Sequence, residues 1–428
     1  MFRSLQLGLI SVLLSASLFA TAVEADPRRT TQGVAAAIRR NFFDAAAADR
    51  IADALEAEAA AGAYDAYADP AELAAVLSDR LKPEDPHFSV SYDSRVAAEN
   101  MIAGAPPRLS RIESAIISNF GFAEVSVLPG NIGYVQMTRF AEIDFTRSDN
   151  VIRAFADAVL TLVSFTDAVI FDLRQNPGGS PSMVGYLVSA FTPRDADIYN
   201  TFVGRRGASN ERPGVPYATP RLDVPVYILI SGRSGSAAEG FAYTLQSAGR
   251  ALIVGEASGG ASNPGDTFPT GDGFSVFVSN ATPVNPITGR NWGGAGVQPD
   301  LPSPSEEALR VAQRAALTTL AHREDSPGMA QNALWALEAL ADPIEPSRPL
   351  SDFAGSYGGI EIAETPSGLS LRQSRRPARS LVPVRDDLFR IDGDTKTRVQ
   401  FVRDAEGGVV AMETLSTVAS VVRRRRDD

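Results

Sequence analysis

Two periods of apolar residues alternate along the chain between about residue 125 and residue 256. Almost continuously apolar runs, such as DAVIFDLR, VPVYILIS and ALIVGE, predict short strands. The segments 149–164 and 237–248 instead repeat apolar residues at helical spacing. Strands that are apolar on both faces and alternate with helices are typical of parallel sheets covered by right-handed crossovers. We therefore predict an α/β core with a parallel-rich, twisted sheet and flanking helices.

Two segments rich in small residues follow predicted strands, DLRQNPGGS (172–180) and SGRSGSAAE (231–239). In parallel sheets ligands bind beyond the carboxyl ends of the strands, where both segments are expected. Ser236 would begin a helix, whose free N–H groups and dipole favour an oxyanion. The pair Gly178 and Gly179 could direct further N–H groups to the same point. Two simpler interpretations stay open: that Ser234 or Ser236 serves only as an N-cap, and that the glycines form only a turn.

The flanking regions have patterns of their own. Apolar residues at helical spacing predict a helical N-terminal unit, and PEDPHFSVSYD (83–93) alternates like a strand with His87 on its polar face. A Pro- and Ser-rich linker (342–352) precedes short alternating runs separated by turns. These runs predict a small antiparallel β domain, lipocalin-like in pairing, that ends in a basic tail. The expected division is a helical unit at 30–95, a core at 96–325, a helix and linker at 326–349, and a β domain at 350–428.

The first residues and the composition restrict location and partners. An apolar run after Arg3, followed by small residues, predicts a signal peptide over 1–25, cleaved after Ala22 or Ala25, and hence a periplasmic or extracellular protein. An uncleaved membrane anchor is the alternative. The sequence has no cysteine, which excludes disulfides and thiolate metal sites. A net charge of −11 argues against a nucleic-acid partner, and we expect no metal and no cofactor.

Three ordered motifs carry a resemblance to a known family: AVIFDLRQNPGG, SGSAAEGFAYTLQSAGRALIVGEASGGASNPG and NPITGRNWGGAGVQPD. They resemble peptidase family S41, the tail-specific or C-terminal-processing proteases, and in particular the branch similar to interphotoreceptor retinoid-binding protein and the tricorn core. The resemblance spans most of residues 30–320 and implies a ClpP/crotonase-like core. It implies that Ser236 is the nucleophile and that the oxyanion hole comes from Ala237 with Gly178 or Gly179. It also implies a peptide or unfolded protein as substrate.

The chain departs from the lysine-dependent members of this family at the position of the base. Where those proteases carry a lysine, this chain has Ala261, and its only lysines are Lys82 and Lys396. The resemblance therefore implies a histidine base. His87 stands at the matching place, and the only other histidine, His322, follows the core. The alternative for His87 is a structural role as a polar residue at a turn.

The third catalytic member is unassigned at the level of sequence. The related enzymes commonly place a glutamate at the position that aligns with Gly293. Asp300 or Glu239 could substitute, although both are also explained as structural residues. The leading hypothesis is a serine-type endopeptidase that acts through an acyl-enzyme. The alternative, which Gly293 favours, is a degenerate relative that binds an apolar ligand or a protein partner.

Overall fold

The computed structural model describes residues 24–93 and 110–427, and the chain forms two compact units. Among these residues, the first unit comprises 24–93 together with 265–279, and the second comprises 110–264 and 280–427. The predicted signal peptide lies outside the described residues except for Glu24 and Ala25. Within the described ranges, no helix combines the length and the apolar character needed to cross a bilayer.

The regular elements of the described residues are numbered here in chain order. The helices are α1 (Pro27–Asn41), α2 (Ala45–Ala60), α3 (Pro70–Leu81), α4 (Arg111–Ile117), α5 (Val151–Leu162), α6 (Pro181–Ser189), α7 (Ala237–Ser247), α8 (Ala308–Ala321) and α9 (Pro327–Ala339). The strands are β1 (Ser89–Tyr92), β2 (Phe122–Leu128), β3 (Ile132–Met137), β4 (Ala168–Asp172), β5 (Thr201–Gly204), β6 (Gly207–Asn210), β7 (Val226–Ile230), β8 (Ala251–Gly255), β9 (Gly265–Gly271), β10 (Phe274–Ser279), β11 (Ala281–Val284), β12 (Leu301–Pro302), β13 (Gly355–Tyr357), β14 (Ile360–Thr365), β15 (Gly368–Gln373), β16 (Arg379–Arg385), β17 (Leu388–Ile391), β18 (Thr397–Arg403), β19 (Val409–Ser416) and β20 (Val422–Arg425).

Helices α1 to α3 of the first unit begin at aspartates whose carboxylates accept backbone N–H groups of the first turn: Asp26, Asp44 and Asp69. Their apolar faces pack into one core with the antiparallel sheet β1-β10-β9. Ser78 joins α3 to this sheet, because its hydroxyl accepts the N–H of Val90 at 2.8 Å. The helical N-terminal part that the sequence predicts is confirmed. The sheet completes this unit with residues 265–279, which follow β1 only much later in the chain.

The second unit contains a six-stranded sheet in the order β12-β8-β7-β4-β3-β2. Strands β3, β4, β7, β8 and β12 are parallel, and β2 is antiparallel at the edge. Alternate residues face opposite sides, so that Phe171 packs with α6 and α7 while Ile170 packs with α8. The predicted parallel-rich α/β core is confirmed. Strands β5, β6 and β11 form a separate small antiparallel sheet.

The C-terminal residues form an eight-stranded antiparallel sheet in chain order from β13 to β20. Its core is aromatic and includes Phe353, Phe389 and Phe401. The N–H of Asp427, just after β20, donates to the carbonyl of Ser356 in β13 at 2.8 Å, so the last strand meets the first. The predicted antiparallel β domain is confirmed.

The order of the parallel strands determines where the glycine- and serine-rich segments lie. Strands β4 and β7 are neighbours, with Asp172 opposite Leu229 near their carboxyl ends. The segment that contains Gly178 leaves β4, and the segment that contains Ser236 leaves β7. Because parallel strands end at the same edge, both segments emerge side by side.

Candidate active site

The turn after β4 has a backbone that only glycine adopts readily. Gly178 and Gly179 have φ values of 118° and 143°. The Gly178 N–H donates to Asn176 Oδ1 at 2.9 Å, and the Gly178 carbonyl accepts the N–H of Phe140 at 3.0 Å. A Cβ atom on Gly179 would lie 2.1 Å from the carbonyl oxygen of Phe140. The turn is therefore fixed by its own hydrogen bonds and by a close backbone contact.

Ser236 immediately precedes α7 with φ 52° and ψ −117°. An N-cap residue normally has an extended backbone, and a non-glycine residue at positive φ costs about 1–3 kcal/mol. Its N–H donates to the Glu239 carboxylate at 2.7 Å, which holds the sharp bend between β7 and α7. Such strain is concentrated at functional sites. A serine on a tight strand-to-helix turn is also how α/β hydrolases display a nucleophile.

The segments after β4 and β7 meet at Ser236. A Cβ atom built on Gly178 would lie 2.7 Å from Ser236 Cβ and 3.0 Å from the Ala237 nitrogen. Gly179, Ser236 and Ala237 line one small cavity. The structure thus brings together the four residues that the sequence predicts for the nucleophile and the oxyanion hole.

The backbone donors at this point differ in their availability. The N–H of Gly178 is used by Asn176. In the described part of the chain, the N–H groups of Gly179 and Ala237 donate to no protein acceptor. Two N–H groups beside one serine can stabilise the oxyanion of a tetrahedral intermediate. Gly179 and Ala237 are therefore the candidate donors of the predicted oxyanion hole, whereas Gly178 lies in close contact with Ser236.

Ser234, the alternative serine of this segment, has a structural environment. It is buried, its hydroxyl donates to the carbonyl of Leu173 at 2.8 Å, and it accepts the N–H of Ser231 at 3.0 Å. These bonds join the turns that follow β4 and β7.

Glu239 is fully buried and holds the loop after β8. Its carboxylate accepts hydrogen bonds from the Ser258 hydroxyl at 2.6 Å and from the N–H groups of Gly260 and Ala261 at 2.6 and 2.8 Å, in addition to that of Ser236. Burial raises the pKa of Glu239, and these hydrogen bonds partly oppose the increase. The Glu239 carboxylate therefore fixes the backbone of Ser236, Gly260 and Ala261.

The surroundings of Asp300 and Gly293 also indicate structural roles for these two residues. The Asp300 carboxylate accepts the N–H of Ile253 at 2.8 Å, which joins it to β8. A Cβ atom on Gly293 would lie 2.6 Å from Ser262 Oγ and 2.9 Å from Asn291 Oδ1. A larger residue at position 293 would require these neighbours to move.

His87 belongs to the first unit and lies in the turn before β1. Its side chain is 11% exposed, and its Nδ1 lies 2.5 Å from Oδ1 of Asp85, which is 3% exposed. The same oxygen accepts the backbone N–H of His87 at 2.9 Å. Burial would raise the pKa of Asp85, but the hydrogen bonds from the His87 ring and backbone, with the charge of the ring, bring it below its ordinary value. The pair has the form of a general base held by a carboxylate.

The sequence analysis missed Asp85, although it stands only two residues before His87 in PEDPHFS. An aspartate at this spacing can accept the N–H of the second following residue in a turn, which directs its carboxylate to that residue's ring. As for metals, the described ranges contain no group of three or more His, Asp or Glu side chains arranged to bind one.

Comparison with known proteins gives a family match over the centre of the chain. Residues 131–303 match the family model of peptidase family S41. This range contains Gly178, Gly179, Ser236 and Ala237 and begins after His87.

Two curated relatives have similar sequences. The carboxy-terminal-processing protease of Bartonella bacilliformis is 28% identical over 172 residues, which is 40% of this chain and 38% of that protein. The carboxyl-terminal-processing protease of Picosynechococcus sp. is 26% identical over 178 residues, which is 41% of this chain and 40% of that protein. The chain thus matches about two fifths of the length of these relatives. Among solved structures, the photosystem II D1 C-terminal processing protease is similar with 15% identity and a TM-score of 0.41, over 66% of this chain and 94% of that one.

Proposed function

We propose that this chain, whose central segment matches peptidase family S41, is a serine peptidase that cleaves peptide bonds through an acyl-enzyme on Ser236. One observation carries the proposal. Ser236 has a left-handed backbone at the start of α7, is in close contact with Gly178, and lines one cavity with Gly179 and Ala237, whose N–H groups have no protein acceptor among the described residues. A serine with two backbone donors is the arrangement that acyl transfer requires.

The proposed reaction has two steps. In the first, Ser236 Oγ attacks the substrate carbonyl while His87 accepts the hydroxyl proton, and the oxyanion receives the N–H groups of Gly179 and Ala237. His87 then returns the proton to the leaving amine as the peptide C–N bond breaks. In the second, a water molecule gives a proton to His87 and attacks the ester carbonyl. His87 then gives this proton to Ser236 Oγ as the ester C–O bond breaks, which releases the acid and restores Ser236.

Asp85 is proposed as the carboxylate that orients this base. Its contact with Nδ1 selects the tautomer in which Nε2 carries the basic lone pair, and its charge stabilises the imidazolium that forms. It would thereby supply what the aligned position Gly293 lacks. The proposal requires that the His87 imidazole reach the Ser236 hydroxyl in the catalytic state, and it places the chain with the histidine-dependent members of the family rather than with those that use lysine.

Reaction with a fluorophosphonate tests the nucleophile directly. Attack of Ser236 on phosphorus forms an O–P bond and expels fluoride, so the adduct can be assigned by peptide mass spectrometry. We expect the adduct on Ser236, and we expect Ser236→Ala to abolish both the adduct and peptide hydrolysis. Unchanged hydrolysis in Ser236→Ala would refute the proposal.

The base is tested with variants of both histidines. His87→Ala should prevent labelling. Asp85→Asn should reduce kcat by about 10⁴, the loss seen when the aspartate that orients the histidine of a Ser-His-Asp triad becomes asparagine. The matched control is His322→Ala, because His322 is an exposed residue at the end of α8 and should leave the rate unchanged. Equal rates in His87→Ala and His322→Ala would contradict the assignment.

The alternative of apolar ligand binding receives no support from this cavity. The space beside Ser236 measures about 50 Å³, which holds only a few atoms and not a lipid-like molecule.

The proposed place of action is the periplasm or the cell exterior, with peptides or unfolded proteins as substrates. The location rests on the signal-like residues 1–25 alone. The mass and N-terminal sequence of the protein recovered from each cell fraction test it. An exported form that begins after Ala22 or Ala25 is expected, and an uncleaved cytoplasmic form would contradict it.

A further inference from the structure

The cavity beside Ser236 is small and partly open. It measures about 50 Å³, and Ser236 and Ala237 form the side next to the reacting atoms. Since a water molecule needs about 10–15 Å³ by this measure, the cavity has room for roughly three to five groups of that size. Much of the remaining wall consists of apolar side chains: Val184, Phe202, Pro264 and Trp292.

One acidic residue, Glu211, interrupts this apolar wall. It lines the cavity and is only 5% exposed. Its Oε1 accepts hydrogen bonds from the Asn200 N–H at 3.1 Å, from Asn200 Nδ2 at 2.8 Å and from the Thr244 hydroxyl at 3.1 Å. Among the described residues, no group donates to Oε2. The carboxyl group is therefore anchored through one oxygen and retains hydrogen-bonding capacity on the other.

The residues that anchor Glu211 are themselves fixed. Asn200 Nδ2 also donates to the Thr244 hydroxyl at 2.8 Å, and Asn200 Oδ1 accepts from Asn285 Nδ2 at 3.0 Å. Asn200 and Asn285 are fully buried, as is Thr244 on α7. A hydrogen-bonded polar network of this kind holds the Glu211 carboxyl group in one orientation.

Burial removes the Glu211 carboxyl group from water, and a ligand that donates a hydrogen bond to it can offset this loss of hydration. Burial raises the pKa of Glu211 to about 7, against the hydrogen bonds from Asn200 and Thr244. A site built to pair a substrate hydroxyl discriminates strongly against the analogue that lacks it, because its buried polar group is then left unpaired.

We propose that Glu211 makes this site selective for peptides with a small hydroxyl residue, serine or threonine, on the acyl side of the cleaved bond. This inference rests on the proposed function, because the cavity adjoins both the nucleophile Ser236 and the oxyanion donor Ala237. The side chain next to the attacked carbonyl would enter it. Its small volume favours serine, threonine, alanine or valine over aromatic side chains, lysine and arginine. Its carboxyl oxygen selects the two that carry a hydroxyl.

The test uses four activated ester substrates that differ only in the acyl-side residue. N-acyl p-nitrophenyl esters of serine, alanine, threonine and valine give kcat/KM for two pairs that differ mainly by the hydroxyl group. For the native protein we expect serine over alanine and threonine over valine by about tenfold or more. A ratio near one, or a preference for valine, would overturn the inference.

Two substitutions identify Glu211 as the cause. Glu211→Gln keeps an acceptor oxygen and should retain the threonine preference, whereas Glu211→Met should reduce the ratio to about one. The matched control, Glu364→Met, replaces an exposed glutamate of the C-terminal sheet and should keep the native ratio. Each ratio is internal to one variant and does not depend on the fraction of folded protein. If Glu211→Met does not fold, the native ratio still decides whether the site prefers a hydroxyl, and loss of that preference in Glu211→Gln would contradict the role of an acceptor oxygen at position 211.

Labelling of Ser236 by fluorophosphonate separates this inference from the proposed function. An adduct with ester hydrolysis but no hydroxyl preference refutes only the role of Glu211. Absence of both adduct and hydrolysis refutes the peptidase proposal, and the inference with it.

Discussion

Replacement of Gly178 by alanine tests whether the turn after β4 controls the position of the nucleophile. The new Cβ would lie 2.7 Å from Ser236 Cβ, whereas ordinary contacts begin near 3.4 Å, so a shift of about 0.7 Å is needed. A misplacement of about 1 Å in an active site can cost on the order of 10²-fold in rate. We therefore expect Gly178→Ala to lower kcat/KM by roughly that factor. Independently of the rate, the backbone strain of alanine at φ 118° should lower the free energy of unfolding by about 1–3 kcal/mol.

Gly207 provides a control that separates strain from contact. Its φ of 115° is nearly the same, but a Cβ atom there would meet nothing within 4 Å. Gly207→Ala should thus lose similar stability and keep its activity. The assay is kcat/KM on a cleaved peptide and the rate of fluorophosphonate labelling, with urea unfolding to measure stability. Equal losses of activity in the two variants, or a loss below fivefold in Gly178→Ala, would refute the reasoning.

Three further predictions concern stability, measured by urea unfolding. The pKa of Glu211 is about 7 in the folded chain and 4.5 ordinarily, so between these values the folded chain retains a proton that the unfolded chain loses. The free energy of unfolding should therefore fall by roughly 3 kcal/mol from pH 4.5 to pH 7. This decrease should be absent in Glu211→Gln. Glu239→Ala leaves the N–H groups of Ser236, Gly260 and Ala261 and the buried Ser258 hydroxyl without their acceptor and should cost about 3–5 kcal/mol of stability. A loss below about 1 kcal/mol would contradict its structural role. Arg398→Ala should cost about 2–4 kcal/mol, because the buried guanidinium donates to the Trp335 carbonyl at 2.6 Å, whereas Arg372→Ala on an exposed ion pair should change little.

The parallel core could be predicted from the sequence because its signals are local. Strands such as β4 and β7 are apolar on both faces, and the intervening helices have a clear period, so each element is visible in a short window. The glycine pair and Ser236 follow the strands at which ligands bind in such sheets. Their contact then follows from the adjacency of β4 and β7.

Most of the features that could not be predicted from the sequence depend on contacts between residues far apart in the chain. Glu211 lies in a segment without a clear period, and its burial arises from Asn200, Thr244 and the cavity wall. The pairing of β1 with β10 brings together residues as distant as Ser91 and Ser275, which are 184 positions apart, so no local sequence pattern predicts it. Asp85 was visible in the sequence, but an aspartate near a proline is ordinarily explained by the turn alone.

The discontinuous first unit restricts the order in which the chain can mature during synthesis. Its core includes Phe274, Val276 and Val278 of β10, packed with residues of α1 and with Phe88. Until residue 279 has left the ribosome, Phe88 and Val90 lack these partners, and β1 lacks the strand that pairs with it. The unit that is translated first therefore cannot be completed first, and a fragment that stops before β9 would present an unpaired, apolar edge to other chains.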